Sequence, residues 1–489
     1  MRSRSWRRAL CVVTVVFLLA GCSKGDALSS SPPTETDGAT TTTTDAAASC
    51  GDAASSNGSA LLDCIGPSLA FIETYASYGS GIVVDGGYVV TNAHVIDPFS
   101  SATITFQDGE RHEDVPLVGV DLVADIAVLG PIDMDRQPVT FEDPADDEQG
   151  SDLYLVGYPA EVASDTPELT ISRGILSRFR TADPFGLTYV QTDAAIGAGQ
   201  SGGALIDGAG RVVGVSGNYY DEFAYALAGP DVSESIESIT SGTSSEYRSV
   251  PLAEDATTAS MHVEQPAIDE GVVVLPFTDV DATVRLSLRS DQVPFLVVLD
   301  LFTFEPSFVS QTAVDYSTDI FGSGSEDAPA IDGGTEVEPG VFDIDVPANT
   351  YLLAVFGAVS GPADVTLEAS APVQILPDLD QSAALLVGDQ VDGVIDYFES
   401  SDSFLIDLAE GQAIDVSVHS PTGDMAYSIQ APGQDYLDVE FVDDSNVGLL
   451  GFDAADQFVA PAAATYTLRV FSNDGFSRGY RLLVSASGG

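Results

Sequence analysis

The run Gly199-Gln200-Ser201-Gly202-Gly203 sets the tightest constraint on what this 489-residue chain can build. A serine hydroxyl becomes a useful nucleophile only where a base takes its proton and donors receive the oxyanion it creates. Glycines on both sides let the backbone turn sharply, so that N–H groups can converge beside Ser201 Oγ. The residues after the serine read as strand, turn, strand: Ala204–Ile206, then Asp207-Gly208-Ala209-Gly210, then Arg211–Val215. Upstream, Ile82–Val84, Asp85-Gly86-Gly87 and Tyr88–Thr91 read as another hairpin, which delivers Thr91-Asn92-Ala93-His94-Val95. Between the two lies Asp121-Leu122-Val123-Ala124-Asp125, leading into the apolar strand Ile126–Leu129. These flanks predict a mainly β chain.

Chain order narrows the chemistry. Gly-x-Ser-x-Gly also marks the strand-to-helix elbow of α/β-hydrolases, but there the serine comes first, then the acid, then the histidine. Here only His262 and His419 follow Ser201, and no helix follows it directly. The order His94, Asp125, Ser201 on β-rich flanks is that of the chymotrypsin-type double barrel. The segments Thr91–Val95, Asp125–Leu129 and Gln191–Leu205 resemble the trypsin-like serine proteases, especially their HtrA/Deg branch. Gly157-Tyr158-Pro159 and Ser172–Ser177 look like the same family's second-barrel strands, and the resemblance covers about residues 70–240.

The resemblance implies a serine endopeptidase in which Ser201 attacks, His94 moves the proton and Asp125 orients His94. No cofactor or metal is implied. Asp125 is preferred to Asp121 because it enters the apolar run and can be buried beside His94; Asp121 reads as surface, and His112 as a solvated loop residue. The N–H groups of Gly199 and Ser201 would form the oxyanion hole. The family usually shows Asn-Pro-Gly-Asn before the serine, where this chain has Gly197-Ala198-Gly199-Gln200, so the loop is expected to be less fixed. Digestive trypsins carry an aspartate before the serine that pairs with a newly cut N-terminus; Gln200 cannot form that ion pair. Ala195 stands six residues before the serine, at the base of the family's primary pocket, with Ser216 and Gly217 on its wall. No carboxylate there selects Arg or Lys, which points to a small or medium apolar side chain.

Residues 1–21 carry Arg2, Arg4, Arg7 and Arg8 ahead of the apolar run Ala9–Ala20, the layout of an export signal too short to span a membrane as an ordinary helix. Leu19-Ala20-Gly21-Cys22 resembles a bacterial lipobox, which implies a lipid anchor at Cys22 and residence on the outer face of the cell membrane or in the periplasm. Residues 22–49 are Ser/Thr/Ala-rich and read as a flexible tether. After export Cys50 and Cys64 are the cysteines left beyond the anchor; they most simply form one disulfide, with two free thiols as the alternative. The sequence holds 75 acidic against 17 basic residues, a formal charge of −58. Such a surface repels itself in dilute buffer and is screened by high salt, which suits a saline habitat. Nucleic acid and bare anionic membrane are poor partners for it.

The protease-like segment spans 50–245, with helical spacing over Asp231–Ile239 closing it. No peptide-binding PDZ domain is evident beyond it. Two β-rich modules come next, 255–371 and 382–489, with an internal echo: Ala348–Phe356 matches Ala463–Phe471. Alternation in Phe404–Leu408 and Ala413–Val418 suits half-buried strands, so both modules are read as β-sandwiches. The second resembles the bacterial pre-peptidase C-terminal (PPC-type) sandwich through Gly393–Phe398, the Gly411 turn and the Thr465-Tyr466 strand. Asp443-Asp444-Ser445-Asn446 reads as a solvated acidic loop, with calcium as the alternative. The rival to a peptidase is a surface binding or adhesion protein that uses the protease fold as a scaffold. Protein or peptide substrates are the expected partners, and oligomeric state is not legible.

Overall fold

The computed structural model describes residues 50, 58–159, 168–220, 223–245, 249–250, 255–263, 271–301, 306–313, 333–375, 383–397, 401–434, 439, 441–443, 453–473 and 476–487. Cys22, the tether, and Asp444, Ser445 and Asn446 of the acidic loop lie outside the described residues.

Helix α1 (Gly58–Ile65) leads into the first barrel: β1 (Leu69–Glu73), β2 (Tyr78–Val84), β3 (Tyr88–Thr91), β4 (Ser101–Phe106), β5 (Arg111–Asp121) and β6 (Ile126–Leu129). A one-turn helix, α2 (Ala93–Ile96), follows β3. The strands close in the order β1-β2-β3-β6-β5-β4. The second barrel contains β7 (Asp152–Gly157), β8 (Thr170–Ala182), β9 (Leu187–Thr192), β10 (Ala204–Asp207), β11 (Val212–Tyr220) and β12 (Phe223–Ala228), and closes in the order β10-β11-β12-β9-β8-β7. Closure leaves no free sheet edge in either half. The predicted strand-turn-strand units around His94 and Ser201 are thus hairpins of two different barrels. Helix α3 (Gly229–Thr240) packs against β5 and β6, and Cys50 is bonded to Cys64.

The apolar faces of both barrels meet in one core. Ile82, Val90, Ile126 and Val128 from the first and Val156, Tyr189, Ala204 and Val215 from the second belong to a single buried cluster, together with Leu61 and Ile65 of α1. His112 is not a loop residue as expected: it lies on β5, bonded to Glu110 and packed edge-on against Phe106.

Residues Leu252–Asp378 form one compact unit. Its strands are β13 (Asp255–Val263), β14 (Gly271–Val274), β15 (Ala282–Ser290), β16 (Pro294–Asp300), β17 (Pro306–Val309), β18 (Gly334–Glu338), β19 (Val341–Val346), β20 (Leu352–Ala358) and β21 (Ala363–Ile375). Hydrogen bonding runs through all nine strands, because the long β21 pairs with β13, β14 and β15 in turn. Residues Ala47–Pro251 and Leu379–Gly489 together form the other unit. Its C-terminal part holds β22 (Ala383–Leu385), β23 (Gln390–Ile395), β24 (Asp402–Leu408), β25 (Ala413–His419), β26 (Met425–Gln430), β27 (Phe441–Val442), β28 (Ala454–Val459), β29 (Ala464–Ser472) and β30 (Arg478–Ala486). They form a five-stranded sheet, β22-β24-β29-β26-β27, and a four-stranded one, β23-β30-β25-β28. Alternate residues of both (Phe404, Ile406, Val416, Val418, Leu468, Leu482) share one core, as the alternation predicted.

Candidate active site

His94 sits on α2, where the chain leaves β3, and its side chain is 17% exposed. Asp125 ends the turn between β5 and β6 at φ +57°, a left-handed conformation that a short polar side chain tolerates better than most. Its Oδ2 lies 2.6 Å from His94 Nδ1, its Oδ1 accepts the His94 backbone N–H at 2.9 Å, and its side chain is 1% exposed. Its carbonyl accepts Ala93 N–H and Asn92 Nδ2. Burial alone would raise the Asp125 pKa, but the charge and hydrogen bond of His94, then the charge of Arg478, outweigh it and hold the carboxyl below its usual range. A carboxylate facing Nδ1 requires a proton there, which leaves Nε2 of the neutral ring as a base.

Asp121 is not a surface residue but a brace for this turn. Its Oδ1 accepts the N–H groups of Val123 and Ala124, and its Oδ2 accepts the hydroxyl of Ser235 on α3.

The serine loop is stitched between the barrels. Ser80 N–H donates to Ser201 O at 2.7 Å, Ser80 Oγ donates to Gly199 O at 2.9 Å, and Thr91 Oγ1 donates to Ser80 O. Gly202, at φ +83°, has no room for a side chain: a Cβ would stand 2.0 Å from Ser80 O. The loop is better fixed than the missing proline leads one to expect, because the Gln200 amide cross-links it. Its Oε1 accepts Gly197 N–H at 2.7 Å, its Nε2 donates to Thr170 Oγ1 at 2.8 Å, and its own carbonyl accepts the Ser216 hydroxyl. Among the described residues, neither the Gly199 nor the Ser201 N–H has a hydrogen-bond acceptor. Ser201 Oγ donates to Gly217 O at 3.5 Å, and no hydrogen bond joins it to His94.

Of the expected pocket residues, Ser216 is fully buried with its hydroxyl turned to Gln200 O, so it supports the serine loop. Gly217 lies against Asn92, whose Nδ2 would be 2.9 Å from an added Cβ. Ala195 is exposed, its carbonyl accepting Ser172 Oγ.

A second Ser–His–Asp chain exists in the C-terminal sandwich: Ser417 Oγ and Asp453 Oδ2 each lie 2.9 Å from a ring nitrogen of His419. Ser417 is inside β25, paired with β28 on one side and β30 on the other. Its neighbours' N–H groups are committed to those ladders, so none converges on an oxyanion beside it. His262 pairs with Asp364 on an exposed surface. Among the described residues no cluster of three or more His, Cys, Asp or Glu is placed to hold a metal, and no helix is long and apolar enough to cross a membrane.

Sequence reasoning missed Ser80, the cross-linking role of the Gln200 amide and a contact from the far end of the chain. Phe476 packs edge-on against the His94 ring, with centroids 5.7 Å apart. Ser477 donates its N–H and hydroxyl to Asp97, and Arg478 Nη1 lies 3.6 Å from Asp125 Oδ1.

Two closed barrels with a buried His–Asp pair and a glycine-held serine loop where they meet are the trypsin-like peptidase architecture. Residues 79–215 match the family described as trypsin-like peptidase domain. The chain is 38% identical over 159 residues to the serine protease Do-like HtrA of Lactobacillus helveticus, covering 30% of this chain and 36% of that protein. It is 32% identical over 152 residues to a probable periplasmic DegP-like serine endoprotease of Halomonas elongata, covering 30% and 31%. With the serine endoprotease DegS of Haemophilus influenzae it shares 35% over 144 residues, 28% of this chain and 40% of that one. Among solved structures, the HtrA-type protease AlgW with tripeptide aligns at 28% identity and a TM-score of 0.33, over 37% of this chain and 62% of that one. The chain thus spans well under half the length of these curated relatives.

Proposed function

We propose that this chain is an exported serine endopeptidase that cleaves peptide bonds through Ser201, His94 and Asp125. The observation that carries the reading is the His94–Asp125 pair at 2.6 Å on the first barrel, together with a serine loop whose carbonyls are tied to that same barrel. Ser201 Oγ attacks the substrate carbonyl carbon, and its proton passes to His94 Nε2. The carbonyl electron pair moves onto oxygen, where the N–H groups of Gly199 and Ser201 receive it. Collapse breaks the C–N bond, the leaving amine takes the proton from Nε2, and water, deprotonated by His94, releases the acyl group by the reverse route. Asp125 holds Nδ1–H and stabilises the imidazolium.

The lipobox-like Leu19-Ala20-Gly21-Cys22 supports a membrane-anchored lipoprotein, and Ala195 supports a small or medium apolar side chain before the scissile bond. The C-terminal module is read as a PPC-type sandwich, and the acidic surface as an adaptation to salt. One observation favours a second reading, a quiet or partner-activated scaffold: Ser201 Oγ is bonded to Gly217 O rather than to His94. Catalytic hydrogen bonds often tighten only when substrate binds, so this geometry also suits a resting enzyme.

Fluorophosphonate labelling of the full chain from low to molar salt, beside Ser201→Ala and His94→Ala, tests the proposal. Labelling that requires both residues supports the peptidase; a folded protein unlabelled at every salt concentration supports the scaffold.

A further inference from the structure

The end of the C-terminal sandwich is built into the catalytic side of the double barrel. Phe476, Ser477 and Arg478, at the start of β30 and just before it, lie against α2 and the turn before β6. Ser477 is anchored by two hydrogen bonds to the buried Asp97, 2.7 Å from its N–H and 2.8 Å from its hydroxyl. Gly479 N–H donates to Leu122 O at 3.1 Å, and a Cβ on Gly479 would stand 2.5 Å from Val123 Cγ2 and 3.0 Å from Val123 N. Only a glycine lets the two backbones approach this closely. Farther along β30, Arg481 donates to Pro184 O on the second barrel and its guanidinium lies over the Phe185 ring. The contact is therefore pinned at three separated points, and it ends on the His–Asp pair.

We propose that Arg478 and Phe476 are positioning residues of the active site, supplied to the barrels by the sandwich. The inference rests on the triad reading above. Arg478 is 4% exposed, and its cation faces Oδ1 of Asp125, the oxygen that does not face the imidazole. It keeps Asp125 ionised and opposes a full positive charge on His94, so it tunes the basicity of Nε2. Phe476 sets the ring's orientation by packing on it edge to face, while Arg478 itself stacks over Phe476 at 5.3 Å.

Among the described residues, further titratable groups lie near this pair. Asp97 lies on the docking seam and is held by Ser477, with the buried Asp396 acting on it from the sandwich. Tyr189 on β9 is a buried phenol that feels the charges of Asp125, Asp121 and Asp231, but burial pushes its pKa far above neutrality, so it stays neutral. Arg478 is therefore the cation that acts on Asp125 from outside the barrels.

The test compares Arg478→Met, Arg478→Lys and Phe476→Ala in the full chain, with circular dichroism and urea midpoints to establish folding. Two readouts are taken: the pH profile of fluorophosphonate labelling, and the titration of His94 by NMR, assigned with His94→Gln. Removing the Arg478 charge should move the His94 titration and the acid limb of labelling upward by about one pH unit. Arg478→Lys should restore most of that shift. Phe476→Ala should slow labelling roughly tenfold without moving the limb, since it removes orientation and no charge. Midpoints that fall with neither pH readout moving would reduce the contact to scaffolding and overturn the proposal. Faster labelling in Phe476→Ala would overturn it in favour of a cap that blocks the site. A wild-type chain that never labels defeats the triad reading alone, because the NMR shift still reports whether Arg478 acts on His94.

Discussion

Replacing Asp125 by Asn tests the core of the site, because the structure dictates how the amide must sit. The His94 backbone N–H, 2.9 Å from Oδ1, requires an acceptor, so the amide oxygen takes that place and the NH2 faces Nδ1. Nδ1 must then accept a hydrogen bond, and the imidazole proton moves to Nε2, the nitrogen that the proposed mechanism needs free to take the proton of Ser201. The expected loss is about 10⁴-fold in labelling rate and peptide turnover, on the order of 5 kcal/mol of transition-state stabilisation. The same change removes one of the carboxylates acting on the buried Arg478, Asp97 being another, which lowers folding stability by about 1–3 kcal/mol. The pH dependence follows from the lowered Asp125 pKa: its contribution is present above the ordinary carboxylate pKa and is lost as pH falls through the lowered value. Asp125→Asn should therefore be less stable than wild type at neutral pH, with the gap closing in acid. Labelling rates at pH 7 and urea midpoints from pH 3 to 7 read both effects. A folded Asp125→Asn protein that labels within tenfold of wild type would remove Asp125 from the mechanism.

Three further outcomes are expected. Gln200→Ala removes both amide links of the serine loop and should slow labelling about 100-fold, with the urea midpoint nearly unchanged, if the loop presents the oxyanion donors. Burial pushes the Asp97 pKa up to about 7, against the hydrogen bonds of Ser477, so its stabilisation is fully present below the ordinary carboxylate pKa and lost as pH rises through about 7; urea midpoints in molar salt should fall over that window, and Asp97→Asn should flatten the fall. Cys64→Ser opens a bridge between residues 14 apart and should lower stability by about 2–4 kcal/mol in non-reducing urea titrations.

The parts of this molecule that can be read from the chain are the local ones. Glycines at 199, 202 and 203 mark a turn that no other residue fits, and a hairpin with its apolar run announces the barrel strands around His94 and Asp125. The choice between Asp121 and Asp125 turns on one neighbour, Ile126, because the residue that enters the strand is the one that gets buried. The reading of Asp121 as surface fails for the complementary reason: its partner Ser235 lies 114 residues away, and nothing near Asp121 signals a brace. Gln200 reads in the sequence by what it lacks, the charge of an aspartate, whereas its amide can accept and donate at once. The nine-stranded pairing of the middle unit depends on one long strand changing partners along its length, which alternation does not encode. Phe476, Ser477 and Arg478 carry no motif, and their importance comes from docking against residues more than 350 positions earlier.

That separation also has a consequence in time. A chain made from its N-terminus releases Asp125 well before Arg478, and at about 5–20 residues per second the interval is roughly 20–70 s. Both barrels can close in that window, while the His–Asp pair still lacks the Phe476 ring and the Arg478 cation. If those groups tune the base, the growing chain passes through a stage with closed barrels but an unfinished His94–Asp125 pair. The last described strand then acts as a built-in delay between closure of the barrels and completion of the surroundings of His94 and Asp125.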